Sequence, residues 1–314
     1  MRRPVVLVLS VRDYLHRPLI DLVRLRHGAD TQIISMRAWR ELDRWFLLRL
    51  LFFELPFRIG RIYTPSDLGG RLVRVIVDLA ALLGIEVYVA PAHNHPYHRD
   101  QPIPLSRRYV DLHALQVVGG FARSSRIVIN DPSMRAFFRE LGYADRRLVD
   151  VPDWIARLFR RPLPTRYRFV FFTEVMQDID PHTCDRNLQR IVHLLECGAL
   201  PSLVVKFHPR EPQEKIQEYR RAFAPWPQVS FIDLEAPSFD VINESDVIFA
   251  SFSTALLEAL WLGKQIVILD NPLYLNTMMR FYLDNPQRYH VYDVDDMALA
   301  RFLEAPPTAD RRLA

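Results

Sequence analysis

Short apolar runs alternate with longer amphipathic stretches from one end of this chain to the other, beginning with "PVVLVLS" (residues 4–10). Short apolar runs bounded by turn signals indicate buried strands, and the longer stretches between them are typical of helices. Strands that alternate with helices form βαβ units, which build mainly parallel sheets with helices on their faces. The pattern therefore predicts an α/β fold.

An Arg- and Pro-rich segment, "RRPLPTRYR" (residues 160–168), separates two sets of these alternations. It has no hydrophobic periodicity, which is typical of a linker. We expect two Rossmann-like, doubly wound domains, an acceptor domain over residues 1–160 and a donor-binding domain over 161–314. Open α/β sheets bind ligands at the carboxyl ends of their strands, so we expect the two domains to face a common cleft. The predicted strands are residues 4–10, 31–36, 61–65, 86–92, 126–131 and 147–151 in the first domain, and 168–174, 202–209, 229–233, 246–250, 265–270 and 289–294 in the second.

Charge is distributed unevenly along the 314 residues. The net charge is +4, but residues 1–150 carry 23 Arg against 15 Asp and Glu, a net charge of +8, and the remainder carries −4. The first half is therefore the one to expect against an acidic partner or a membrane surface. The basic residues form no single run and no nucleic-acid-binding motif is present, so we expect no nucleic-acid partner.

Two further features bear on the compartment. Cys184 and Cys197 lie thirteen positions apart in one predicted helix, which separates them by about 20 Å, too far for a disulfide. The first apolar run has only about six residues, too few for a signal peptide or a membrane span. We therefore expect a reduced, cytoplasmic protein.

One buried strand runs directly into polar residues in "LVVKFHPREP" (residues 203–212). Pro209 ends the strand because it has no N–H for the ladder. Lys206 and His208 are thereby brought to the edge of the sheet. His208 either bonds a neighbouring loop or contacts a ligand in the crevice, and a second motif favours the ligand.

That second motif is "ESDVIFASFSTALLEALWLGKQIVILD" (residues 244–270), which predicts a strand, a polar turn, a helix containing Glu258 and a new strand. The turn places the hydroxyls of Ser251, Ser253 and Thr254 beside backbone N–H groups at a helix N-terminus, where a phosphate is favoured. The alternative interpretation is that Ser253 is an ordinary helix N-cap.

Lys-x-His-Pro at a strand end, followed 45 residues after His208 by Ser253-Thr254 at the start of a helix, resembles the second domain of bacterial GT-B glycosyltransferases. The resemblance covers residues 168–272 and extends to sialyltransferases and polysialyltransferases, capsule Kdo transferases and CDP-glycerol glycerophosphotransferases. It implies that His208, Pro209, Ser253 and Thr254 contact the phosphate of a cytidine nucleotide donor. It also implies a role for Glu258 at the nucleotide ribose.

Transfer from such a donor leaves negative charge on a phosphate, which preorganised cations and N–H groups stabilise. Lys206, His208, Ser251 and the amides of residues 253–256 are the candidates, and protonated His208 is a candidate general acid. These groups replace a cation, so we expect no metal and no resident cofactor, the CMP-activated sugar being a substrate.

Inversion also requires a base for the acceptor hydroxyl. The sialyltransferases carry Asp or Glu followed by Asp-Gly in their first domain, whereas the nearest stretch here is "SDLGG" (residues 66–70). It places Asp67 after the predicted strand 61–65, which makes Asp67 a candidate catalytic base. A helix N-cap is the alternative role.

Two segments of the first half suggest further contacts. "APAHNHPYHRD" (residues 90–100) brings His93, His95 and His98 to a loop that we expect to contact the acceptor, with zinc binding as a weaker alternative. "RWFLLRLLFFELPFR" (residues 44–58) predicts either a core helix or an interfacial helix on an anionic membrane.

The predicted function is metal-independent transfer of a sialic acid or Kdo-like sugar from a CMP-activated donor to a bacterial surface glycan or glycolipid. A CDP-glycerol-type polyol phosphate transferase needs the same His and Ser positions. A UDP-sugar 2-epimerase shares the two-domain layout but consumes UDP-GlcNAc without an acceptor. A non-catalytic GT-B-like binding subunit is favoured by the absence of the Asp-Gly tripeptide.

Overall fold

In a computed structural model, the chain divides into two compact units, the first holding the described residues up to Leu158 and the second those from Phe159 onward. The structure describes residues 5–10, 13–36, 48–65, 71–91, 125–140, 142–175, 182–251, 253–269, 278–283, 289–291 and 297–304.

The first unit is built on a parallel sheet with the strand order β2-β1-β3-β4-β5-β6. The four inner strands of this sheet are buried along most of their length, as expected for a sheet covered by helices on both faces. Its elements are β1 (Val5–Leu9), α1 (Asp13–His27), β2 (Ile33–Met36), a π-helical turn (Leu50–Glu54) that continues into α2 (Leu55–Phe57), β3 (Ile59–Thr64), α3 (Arg71–Leu82), β4 (Glu86–Val89), β5 (Arg126–Ile129), α4 (Pro132–Glu140), a 3₁₀ turn (Asp145–Arg147), β6 (Leu148–Asp150) and α5 (Trp154–Phe159).

The second unit is a parallel sheet with the order β12-β11-β10-β7-β8-β9. The chain proceeds outward from β7 in one direction and from β10 in the other, so the topological switch point lies between these two strands. Its elements are β7 (Tyr167–Phe172), α6 (Thr183–Glu196), β8 (Leu203–Lys206), α7 (Gln213–Phe223), β9 (Val229–Ile232), α8 (Ser238–Asn243), β10 (Ser245–Ala250), α9 (Thr254–Trp261), β11 (Gln265–Ile268), a 3₁₀ turn (Met278–Tyr282), β12 (Tyr289–Val291) and α10 (Met297–Glu304).

The predicted fold class is confirmed: both units are Rossmann-like, doubly wound α/β domains. Every predicted strand is present, with ends displaced by at most three residues. The largest displacement that concerns the site is in β8, which ends at Lys206 instead of Pro209. The ladder stops there because the N–H of His208 donates to a side chain, the Thr173 hydroxyl, and the chain then turns at Pro209.

The core of the second unit explains the position of α9. Phe169 on β7 and Phe249 on β10 pack edge to face at a centroid distance of 6.0 Å, and residues 255–261 of α9 are buried without exception. A helix whose surface is apolar except for Glu258 and Thr254 belongs in an interior. The burial of α9 therefore fixes its N-terminus beside the carboxyl end of β10.

Two other predictions concern compartment and membrane. Cys184 is buried, Cys197 is exposed, and both are free thiols. In the part of the chain that the structure describes, every helix is too short or too polar to cross a bilayer.

Candidate active site

Three neighbouring strands of the second unit, β10, β7 and β8, end at the same edge of the sheet. Because all three are parallel, the residues that follow them lie side by side at the switch point, where open α/β sheets bind ligands. These are Ser251 after β10, Thr173 and Glu174 after β7, and His208 after β8. The edge thus brings together His208 and the start of α9, which the sequence predicts to share a ligand.

The His-Pro motif forms a tight turn. The carbonyl of His208 accepts a hydrogen bond from the N–H of Glu211 at 2.8 Å, and Pro209, which is exposed, occupies the second turn position that proline favours. Within the turn, the N–H of Arg210 donates to Nδ1 of His208 at 3.1 Å.

This bond determines the chemistry that the half-buried imidazole offers. Since Nδ1 of His208 accepts a backbone N–H, the proton of the neutral ring lies on Nε2. Protonating Nδ1 would break the bond. In this geometry the neutral imidazole donates a hydrogen bond from Nε2, and the role of His208 as a protonated general acid stays a prediction.

A buried threonine and glutamate support the turn from below. The hydroxyl of Thr173 accepts the N–H of His208 at 3.0 Å and donates to Oε2 of Glu211 at 2.7 Å. Burial raises the pKa of the Glu211 carboxyl, and the Thr173 hydroxyl and Lys215 offset part of this rise. Oε1 of Glu211 is buried and finds no hydrogen-bond partner among the described residues. Thr173 thus links the backbone of the His-Pro turn to an inward-facing carboxyl.

Lys206 faces the interior. Only 1% of its surface is exposed, and its ammonium donates to the carbonyls of Phe207 and Leu234, each at 2.9 Å. Burial lowers the pKa of this ammonium, while Asp233 and Glu235 offset part of the change. The side chain holds the end of β8 to the loop after β9. Two of the three N–H donors of this ammonium are thus used within the protein, and the phosphate contact that the sequence predicts stays a prediction.

Ser251 belongs to a buried polar network that bridges the switch point. Its N–H donates to Oε1 of Glu174 at 2.9 Å, and its hydroxyl donates to Oδ1 of Asn187 at 2.6 Å. The thiol of Cys184 donates to the Glu174 carbonyl at 3.1 Å. All four residues are buried, so the network joins β7, β10 and the first turns of α6. The Ser251 hydroxyl is thereby directed to a protein partner.

Ser253 is the N-cap of α9. Its hydroxyl accepts the N–H of Ala255 at 3.2 Å, which confirms the N-cap interpretation. Thr254, the first helical residue, is half-buried, and Glu258 is buried one turn further into the helix. The partial positive charge of this N-terminus favours an anion near Ser253 and Thr254. Their contact with a phosphate, and that of Glu258 with a ribose, stay predictions.

Sequence reasoning missed Thr173, Asn187 and Glu211. A signal for Glu211 exists in hindsight, because His-Pro-x-Glu places an acidic residue at the fourth position of a proline-initiated turn. Asn187 carries no comparable signal, since its role depends on how α6 packs beside β10.

The predicted first-domain residues lie outside the described residues. These are the candidate base Asp67 and the loop histidines His93, His95 and His98. Within the described ranges, no group of three His, Cys, Asp or Glu residues is placed to hold a metal ion.

No protein-family model and no curated protein matches this sequence. Among solved structures, the UDP-GlcNAc 2-epimerase from Methanocaldococcus jannaschii is similar over 98% of this chain and 94% of its own, with 12% identity and a TM-score of 0.61. The UDP-GlcNAc 2-epimerase from Neisseria meningitidis is similar over 96% and 89%, with 10% identity and a TM-score of 0.56. The wall teichoic acid polymerase TagF is similar over 96% and 79%, with 9% identity and a TM-score of 0.56. At these identities the likeness shows the fold, which is of the GT-B type.

Proposed function

We propose that this chain is a nucleotide-sugar-dependent enzyme that transfers a sialic acid or Kdo-like sugar from a CMP-activated donor to a bacterial surface glycan or glycolipid. One observation carries the proposal: His208, whose Nδ1 accepts the N–H of Arg210, lies at the same sheet edge as the N-terminus of α9. Both are hydrogen-bond donors for an anion, and both are positioned before any ligand arrives.

The residues of the edge divide into two groups under this proposal. His208, Ser253 and Thr254 contact the donor phosphate, while Lys206 and Ser251 act as positioning residues because Lys206 bonds two backbone carbonyls and the Ser251 hydroxyl bonds Asn187. Strands β8 and β10 are separated only by β7, which places their ends about 10 Å apart. A nucleotide phosphate with its ribose fits this span, with the ribose toward Glu258.

The chemical step breaks the bond between the anomeric carbon and the phosphate oxygen of the donor. The electron pair of that bond stays on the departing CMP, whose growing charge Nε2–H of His208 and the positive N-terminus of α9 stabilise. The acceptor hydroxyl forms the new bond to the anomeric carbon and gives its proton to a base, for which we retain Asp67. The step uses neither metal nor cofactor, and an activated nucleotide donor assigns the enzyme to the cytoplasm.

A UDP-sugar 2-epimerase is the second candidate, favoured by the similarity of two UDP-GlcNAc 2-epimerases over nearly the whole chain. One structure of TagF was soaked with CDPG. A CDP-glycerol-type transferase is therefore a variant of the first proposal. All three activities place a nucleotide phosphate at the same edge, so the donor and the need for an acceptor distinguish them.

The experiment incubates the purified protein with CMP-sialic acid, CMP-Kdo, CDP-glycerol or UDP-GlcNAc, each with and without a glycan acceptor, and follows the products by mass spectrometry. Acceptor-dependent release of CMP supports the transferase, and consumption of UDP-GlcNAc without acceptor identifies the epimerase. His208→Ala removes a donor to the developing charge and lowers turnover about 10²- to 10³-fold. Its control is His193→Ala, an exposed histidine of α6. The absence of turnover with every donor refutes the proposal.

A further inference from the structure

An apolar face is exposed on the short helical segment 48–57 of the first unit. Phe52, Phe53 and Phe57 are 64%, 66% and 78% exposed, and Leu48 is 45% exposed. They are the only exposed phenylalanines among the described residues. A soluble surface rarely groups three such side chains, and a patch of this kind marks an interaction site.

The π-helical turn explains why the segment divides so cleanly into two faces. The N–H of Leu55 bonds the carbonyl of Leu50, five residues earlier, and both side chains are buried. At 3.6 residues per turn these positions would diverge by about 140° around the axis, whereas closure over five residues brings them closer together. With Leu50 and Leu55 on the inner face, the phenylalanines are left outward.

Two arginines flank the exposed face. Arg49 and Arg58 both bind the buried carboxylate of Glu54, at 3.0 and 2.8 Å, and their side chains are 69% and 51% exposed. One carboxylate compensates only one of the two cations. A cavity of about 390 Å³ adjoins the segment, lined in part by Gln32 and both arginines, so the segment that carries the aromatic face also carries N–H donors for a phosphate.

We propose that this face, residues 48–58, docks on the surface of an anionic lipid bilayer. Aromatic side chains that enter the boundary between headgroups and acyl chains, with arginines at the phosphates, are the two contributions that hold interfacial helices. A second copy of the chain is the less favourable occupant, because a two-fold contact sets the same cations against each other. The proposal rests on the surface alone and is independent of the reaction catalysed.

The test is flotation of the full chain with vesicles of phosphatidylcholine and phosphatidylglycerol, compared with phosphatidylcholine alone. We expect binding only to the anionic vesicles, and its loss as salt rises from about 0.1 M to about 1 M, where the Debye length falls from about 10 Å to about 3 Å. Phe53→Gln and Phe57→Gln each weaken binding about tenfold if half of the exposed ring area is buried in lipid.

The matched control is Leu82→Gln, which changes an 84% exposed leucine at the end of α3 and leaves vesicle binding unchanged. All three substitutions are at the surface, so melting temperatures stay within about 2 °C of the wild type. The proposal is overturned if the wild type does not float with anionic vesicles, or if the phenylalanine variants float equally well. It is also overturned if light scattering shows a dimer that these variants dissociate.

Discussion

Replacing Thr173 with valine removes one hydroxyl and leaves the shape of the side chain. In the wild type this hydroxyl accepts the N–H of His208 at 3.0 Å and donates to Oε2 of Glu211 at 2.7 Å. Valine leaves the N–H of His208 and the carboxyl of Glu211 without this hydroxyl as a partner, beneath the surface of the protein. An unsatisfied buried group costs about 1–3 kcal/mol, so the loss in the free energy of unfolding is about 3 kcal/mol.

For a unit of this size, about 1 kcal/mol corresponds to about 2–4 °C, so the melting temperature falls by about 6–12 °C. Thermal unfolding followed by circular dichroism measures this change. Thr173→Ser is the control, because serine keeps the hydroxyl and retains most of the stability. Nucleotide binding also weakens in the valine variant, since the backbone N–H of His208 no longer has a fixed partner. A valine variant that melts within about 2 °C of the wild type refutes the role that we assign to Thr173.

Three further substitutions distinguish residues that position the site from residues that contact the nucleotide phosphate. Burial raises the pKa of Glu211, so the stability that its neutral carboxyl contributes is complete below the unfolded pKa of 4.5 and is lost as the pH rises through the folded pKa. Glu211→Gln removes this dependence, so the melting temperature of the variant rises relative to that of the wild type as the pH increases above about 4.5. Melting temperatures that change in parallel with pH in the two proteins would contradict this expectation. Lys206→Met leaves the carbonyls of Phe207 and Leu234 unsatisfied and lowers the melting temperature, yet a saturating nucleotide still stabilises the variant. If the melting temperature is unchanged and the nucleotide no longer stabilises the variant, Lys206 contacts the phosphate directly. Ser253→Asp keeps an N-cap and so retains stability, but its carboxylate repels a phosphate and abolishes the nucleotide effect; undiminished binding would remove Ser253 from the site.

The strands could be predicted from the sequence because each is a short apolar run with a turn signal at its end. Their ends could not be, as β8 illustrates. Apolar character continues through Phe207, but the ladder stops at Lys206 because the Thr173 side chain captures the next free N–H. That capture depends on the pairing of β7 with β8, which the local sequence does not encode.

The candidate site could likewise be predicted only in part from the sequence. Ser253 is predictable as an N-cap or an anion contact because its position at a helix start is a local property. The orientation of Lys206 is not, because the carbonyl of Leu234 comes from the loop after β9. The Ser251 hydroxyl likewise turns toward Asn187 on α6, 64 positions away. Sequence motifs therefore located the edge, while tertiary packing decided which polar atoms remain for a ligand.

We propose that the edge formed by β10, β7 and β8 binds a nucleotide through His208 and the start of α9. The most direct test is a thermal-shift series with CMP, CDP, UMP, UDP and GDP on the wild type, His208→Ala and His193→Ala. At about 100 times its dissociation constant, the cognate nucleotide adds about 2.7 kcal/mol and raises the melting temperature by about 5–10 °C. We expect this shift with CMP or CDP in the wild type and in His193→Ala, and we expect its loss in His208→Ala. A shift with UDP alone would support nucleotide binding at this edge and would indicate a UDP-linked donor instead of a CMP-linked one. The absence of a shift with every nucleotide, or an equal shift in His208→Ala, would show that His208 does not bind a nucleotide at this edge.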